Sequence, residues 1–440
     1  MCHKISKIKN ILNECIDLLD THSRFFVKNP ISDFTKTKKI SFKQCISTIL
    51  GFGGASLTNE LIRFYNYDAN IPTSSAFVQQ RSKILPETFE TLFHIFNEKT
   101  DIPKLFNGYR LLAVDGSDIH IPTIANDLDS HYHNSNNISY NLLHLNALYD
   151  LCSNTYVDAI IQKSKKTNEH EAFVNMVNNF ASYSKEHNAI FIADRGYESY
   201  NNLAHVQNNG LYFLFRVKDI HSPGIASGAD LPDTDEFDVS FDRLLTRTNS
   251  KVVKNDKRFK YLPSKTPFDF LPIKASRNKL ETFNLKYRLV RIKISDGLYE
   301  MIATNLPIDK FPPSELLKLY SMRWGIETSF REIKYMHGLL NFHSKKVENI
   351  FQEIYAKLTM FNFTALIMHC VTIKSKNTKY DYHLNHAVAT NICRQYFIRN
   401  ISPHNVEATI SNNLVPFRPN RSFSRIKSRK TACSFHYRIS

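Results

Sequence analysis

The chain has 440 residues, 42% of them hydrophobic, enough to bury more than one core and to form two or three domains. Its 57 Lys and Arg exceed its 41 Asp and Glu, for a net charge of +16, which favours nucleic acid over a membrane surface as partner. Seven scattered cysteines with no C-x-x-C pair exclude a zinc knuckle or disulfide framework and fit a reducing cytosol.

The N-terminus lacks the apolar core and cleavage site of a signal peptide. Residues 1–105 read as helical. Residues 57–65 make a short helix, 68–72 a turn, Ser74 or Ser75 caps a second helix, and Pro86-Glu87 opens a third. The middle helix carries Gln79, Gln80, Arg81 and Lys83, a set compatible with reading DNA or with an ordinary solvated face.

Strands begin after residue 105. The apolar run 111–114 leads into Asp115-Gly116-Ser117-Asp118, read as a turn. A hairpin follows at 141–151 and 155–162, then a helix at 169–183 and a second buried strand, 189–193, running into Asp194-Arg195-Gly196-Tyr197. A helix at 199–206 and a strand at 211–217 complete the block 106–218. Buried strands that end in carboxylates lie where α/β sheets place their ligands, just beyond the strand ends.

Residues 219–304 alternate as strands, with basic residues interleaved over 283–294, and form a β-rich insertion. Block 305–375 contains the apolar run 354–373, which Lys357, Asn362 and His369 interrupt, so a buried helix is expected and not a membrane span. The last block, 376–440, is basic: Arg418, Arg421, Arg425, Lys427, Arg429, Lys430 and Arg438 interleave with Phe417, Phe423, Phe435 and Tyr437. Such a tail is suited to ordering on nucleic acid. Isolated pairs such as His131 with His133 and His383 with His386 are given no role.

The densest pattern lies in 320–334. Tyr320, Arg323, Glu327 and Lys334 stand at i, i+3, i+7 and i+14, one stripe of a helix that Ser314 can cap. Trp324 falls off the stripe and is expected in the core. By spacing alone the stripe is either a solvated salt ladder or a carboxylate that holds a metal beside cations that hold phosphates.

This spacing resembles the YREK signature of the IS4-family DDE transposases. Asp115-Gly116-Ser117 and Asp194-Arg195-Gly196-Tyr197 are similar to that family's first two catalytic blocks. The resemblance implies an α/β fold: a ribonuclease-H-like catalytic core interrupted by a β-rich insertion, with a helical N-terminal DNA-binding region. It implies that Asp115, Asp194 and Glu327 are the catalytic, metal-binding triad, with Asp118 as the rival of Asp115. Carboxylate oxygens suit two Mg²⁺ ions, with Mn²⁺ as substitute, ~3.5–4 Å apart. Tyr320, Arg323 and Lys334 become DNA-phosphate contacts; Arg195 is either another or half of an ion pair. The partners implied are double-stranded DNA, as terminal inverted repeats and target, and a second copy of the chain in a synaptic complex. The protein would be cytoplasmic, and nucleoid-associated when bound to DNA.

The activity implied is cutting at the ends of an insertion sequence and joining those ends to target DNA. An inactive DNA-binding relic and a structure-specific nuclease are the alternatives. Relatives that cut through a hairpin stack a flipped base on an insertion Trp; here Trp324 is the sole Trp, leaving Tyr287, Phe283 or Tyr299 for that task.

Overall fold

The computed structural model describes residues 2–36, 39–133, 139–184, 188–275, 279–373 and 381–416. The basic, aromatic tail from Phe417 onward lies outside the described residues. Five helices come first: α1 (Cys2–Thr21), α2 (Phe42–Leu50), α3 (Leu57–Phe64), α4 (Ser74–Arg81) and α5 (Glu87–Thr100). A capping box between Ser41 and Gln44 starts α2. Thr73, and neither Ser74 nor Ser75, caps α4 by accepting the Ala76 N–H.

Arg81 is not on a free DNA-reading face. It is 1% exposed, its Nε donates to Gln352 Oε1 and its Nη1 to Glu353 Oε1, both at 2.8 Å. The reason is a buried carboxylate that the local sequence does not reveal. A guanidinium and a carboxylate so far from water are tolerated only as a pair.

The strands are β1 (Arg110–Ile121), β2 (His131–His133), β3 (Ser139–Asp150), β4 (Thr155–Lys163), β5 (Ala189–Ala193) and β6 (Tyr212–Arg216), with α6 (Glu169–Tyr183) and α7 (Tyr200–Asn208) between them. Strands β4, β3 and β1 pair antiparallel, whereas β1, β5 and β6 pair parallel in that order. This is the ribonuclease-H-like arrangement. Strand β5 is buried along its whole length, and its side chains alternate between two cores. Ala189, Phe191 and Ala193 meet α6 and α7, while Ile190 and Ile192 face the other helices.

The sheet does not stop at β6. Next come β7 (Phe237–Thr246), α8 (Lys251–Asn255), β8 (Phe259–Tyr261), β9 (Phe283–Ser295) and β10 (Leu298–Thr304). Strand β10 pairs antiparallel with β6, and β9, β7 and β8 follow outward, so one ten-stranded sheet runs through both segments. The segment 219–304 therefore extends the core sheet.

Helices α9 (Pro313–Met322), α10 (Trp324–Tyr335) and α11 (Val347–Cys370) return over the first face. Helix α11, about 36 Å long at 1.5 Å per residue, is buried on nearly every side and packs on α1, α2, α5 and β4. It is the buried helix expected from the run 354–373. Among the described residues no helix is long and apolar enough to cross a membrane. After it come β11 (Tyr382–Leu384), α12 (His386–Ile398), also against α11, then α13 (Pro403–Asn412) and β12 (Leu414–Pro416).

Candidate active site

Asp115 is not in a turn. Strand β1 runs on to Ile121 because β3 pairs with it throughout, Asp115 lying opposite Ala147 and Asp118 opposite His144. On its other edge β1 is paired to β5 only as far as Ala113, which lies beside Ile192. Carried two residues further, that register sets Asp115 level with Asp194, just past the point where the two strands cease to pair. Each aspartate bonds a following glycine amide: Gly116 N–H to Asp115 Oδ1 and Gly196 N–H to Asp194 Oδ1, both 2.8 Å.

The signature segment is two helices that meet at Arg323, not one. The junction is tightened by i→i−3 bonds, from Arg323 N–H to the Tyr320 carbonyl and from Ile326 N–H to the Arg323 carbonyl, each 3.0 Å. Pro312 occupies the N-cap position of α9, and Ser314, already inside the helix, makes no cap. The junction also turns Trp324 outward, 54% exposed, instead of into the core.

Helix α10 lies over β1 and is tied to it at both ends. At its far end Lys334 Nζ donates to Ser117 Oγ and to the Asp118 carbonyl, both 2.7 Å. At its start Arg323 lies between two carboxylates, with Nη2 2.8 Å from Glu327 Oε1 and Nη1 3.5 Å from Asp115 Oδ2. Asp115, Glu327 and Arg323 thus meet, with Asp194 on the next strand. Burial chiefly lifts the Asp115 carboxyl, to about 6; the Gly116 N–H and Arg323 oppose the rise, and the charges of Asp194 and Glu327 add to it.

Tyr320 is buried beside this cluster, its ring centre 5.7 Å from the Arg323 guanidinium. Tyr320 is 9% exposed, so it reaches solvent only at an edge. Arg195 is exposed, and of its two readings, phosphate contact or ion pair, the ion pair is not seen among the described residues. Of the aromatics considered for base stacking, Tyr287 is 4% exposed and already stacked on Phe241, and Phe283 packs on Phe268 and Phe270. Tyr299 lies beneath the Arg291 guanidinium, 4.0 Å from its ring centre.

Among the described residues no three Asp, Glu, His or Cys side chains are drawn together tightly enough to hold an ion as they stand. The donor set still fits a hard divalent ion, being all carboxylate, with Arg323 lying as the positive charge between two of its members.

Sequence reasoning did not single out His144 on β3 or Glu169 in the first turn of α6. His144 Nδ1 is 2.9 Å from Asp118 Oδ1, and its Nε2 is 3.0 Å from Glu169 Oε1. An acidic residue opening the helix that follows the hairpin was the available signal.

A ribonuclease-H-like sheet with aspartates where two neighbouring parallel strands cease to pair, facing a helix that carries a glutamate, defines a class of enzymes that cut and join nucleic acid strands. Within it, the family model described as Transposase DDE domain matches residues 106–363, and the chain belongs to that family. It is a DNA transposase, of a family that depends on divalent metal. No curated protein matches the chain. Among solved structures it is similar to the piggyBac transposase synaptic complex with hairpin DNA, at 11% identity and a TM-score of 0.45, over 96% of this chain and 84% of that one.

Proposed function

We propose that the protein binds the terminal inverted repeats of an insertion sequence of the IS4 type, cuts at the element ends and joins them to target DNA. The proposal has Asp115, Asp194 and Glu327 holding two Mg²⁺ ions, for which Mn²⁺ can substitute. The observation that carries it is the meeting of Asp115, Glu327 and Arg323 beside the turn of Asp194. When bound, such ions activate the attacking oxygen and offset charge on the leaving one.

The chain's own residues then have separable tasks. Asp115 and Asp194 present oxygens from adjacent strands, and Glu327 presents its own from the helix above. Arg323 balances the carboxylates in the free protein. Once cations take over that balance, its guanidinium is available to a phosphate, which it can grip through two N–H groups. Tyr320, buried beside Arg323, would be the neighbouring donor. Lys334 has committed two of its three N–H donors to β1, leaving one for a phosphate oxygen. A homodimer that pairs two element ends, working where DNA lies in the cytoplasm, completes the reading.

The test is cleavage of DNA carrying the source element's ends in Mg²⁺, comparing wild type with Glu327→Ala and Asp115→Asn. Cutting at the boundary by wild type alone, with end binding kept by all three, supports the proposal. Binding without cutting by any of them points to an inactive relic, and cutting without strand-transfer products points to a nuclease. Equal cutting by all three removes the triad from the chemistry.

A further inference from the structure

The two glycines that fix the aspartates face a common neighbour. A side chain added at Gly116 would run into His144 Nε2 and lie 3.0 Å from Glu169 Oε1; one added at Gly196 would lie 3.9 Å from Glu169 Oε2. One carboxylate, in the first turn of α6, therefore presents an oxygen to the glycine that follows Asp115 on β1 and to the one in the Asp194 turn. The absence of a Cβ at Gly116 is what admits His144 and Glu169 so close, whereas at Gly196 Glu169 stands at ordinary contact distance.

Glu169 is held there. His144 grips Oε1 from one side and is itself anchored to Asp118 on β1. Burial pulls the His144 imidazole down, but Asp118 and Glu169 outweigh it and lift it to about 9, so the ring is a cation at neutral pH. An independent observation marks the same place. Tyr197, 1% exposed, has a hydroxyl with no partner, and it lies within the field of Glu169, Asp115 and Asp194 together. A buried hydroxyl without a partner is costly to the fold, and one set beside three carboxylates belongs with them to a working site.

We infer that Glu169 is a fourth carboxylate of this centre, a positioning residue that holds the Asp115 strand and the Asp194 turn at the separation a divalent ion needs and adds its charge to theirs. The inference rests on the reading of Asp115 and Asp194 as ion-holding groups. Residues that support metal ligands from behind commonly set affinity by about 10–100-fold. Glu169 acts in that way here, through the strand and the turn it faces, while His144 keeps its charge tolerable in the absence of an ion.

The test is direct binding of Mn²⁺ to the DNA-free protein, followed by electron paramagnetic resonance, beside the Mg²⁺ concentration that half-saturates cleavage. Glu169→Gln is expected to weaken Mn²⁺ binding about 10-fold or more and to raise the Mg²⁺ requirement in parallel, with melting temperature and DNA-end binding unchanged. Glu169→Asp, which keeps the charge, is expected to recover part of the loss. His144→Gln, which leaves Glu169 charged but ungripped, should fall between. If Glu169→Gln does not fold, the other two variants decide, and wild-type Mn²⁺ affinity in both overturns the inference. Mn²⁺ affinity unchanged in a folded Glu169→Gln overturns it outright. Asp115→Asn separates the two levels. If it loses the ion while Glu169→Gln does not, only the role of Glu169 falls. If it binds Mn²⁺ like wild type, the reading of the aspartates falls and takes this inference with it.

Discussion

Arg81 shows how much one side chain can carry without touching the chemistry. It donates from α4 to Gln352 and Glu353 on α11, and His343 Nδ1 lies 3.0 Å from the same carboxylate. Burial pushes the Glu353 carboxyl up, but Arg81 and His343 outweigh it and hold it down at about 2. A carboxyl held below its unfolded value stabilises the fold above about pH 4.3, and that stability is lost as pH falls toward 2. Melting temperature should therefore decline through that acid range, and Arg81→Ala should flatten this part of the profile. At neutral pH the same substitution strands a buried carboxylate and is expected to cost about 3–5 kcal/mol in denaturant unfolding. None of this was legible from 74–83, where Arg81 reads as one polar residue among several. Burial of a charge depends on a partner that here lies 272 positions away. Asp115, Asp194 and Glu327 could be singled out as candidates because their neighbours in sequence carry a pattern, and the fold brings Asp115 and Glu327 to one arginine. Glu169 could not, since its link to the aspartates exists only through the two glycines in the folded chain.

The helices and strands of the catalytic block were easier to read than the elements around the signature. The bounds of β5 and α6 are those the sequence implies, because long apolar or amphipathic runs with clear caps leave little choice. The stripe from Tyr320 to Lys334 assumed one regular helix, and the tight junction at Arg323 broke that assumption. It sent Trp324 to the surface while keeping Arg323 and Glu327 four residues apart and bonded. Likewise Asp115-Gly116-Ser117-Asp118 has turn composition but is a strand, since β3 supplies partners along its full length. Lys334 is what fastens α10 to that strand. Removing its two charge-assisted bonds by Lys334→Ala is expected to cost about 1.5–3 kcal/mol. Hydrogen exchange should show the loss locally, with faster exchange in 324–335 and unchanged protection in α11.

At the scale of the molecule the sheet unites what the sequence divides. A β-rich segment inserted as a separate body could be removed without harm. Here β10 covers the edge of β6, so deleting 219–304 exposes an unpaired strand and half of a core. Such a deletion is expected to abolish cooperative thermal unfolding, as calorimetry would show. Net charge acts at this scale too: with +16 overall, DNA binding should weaken steeply as salt rises, log affinity falling linearly with log salt concentration. The position of α11 sets a further condition, on how the protein is made. Its neighbours α1, α2 and α5 emerge from the ribosome within the first 100 residues, but the helix they enclose begins at Val347. At about 5–20 residues per second the early helices wait roughly 10–50 s for it, their apolar faces uncovered. A growing chain in that interval exposes the apolar surface that chaperones and proteases recognise.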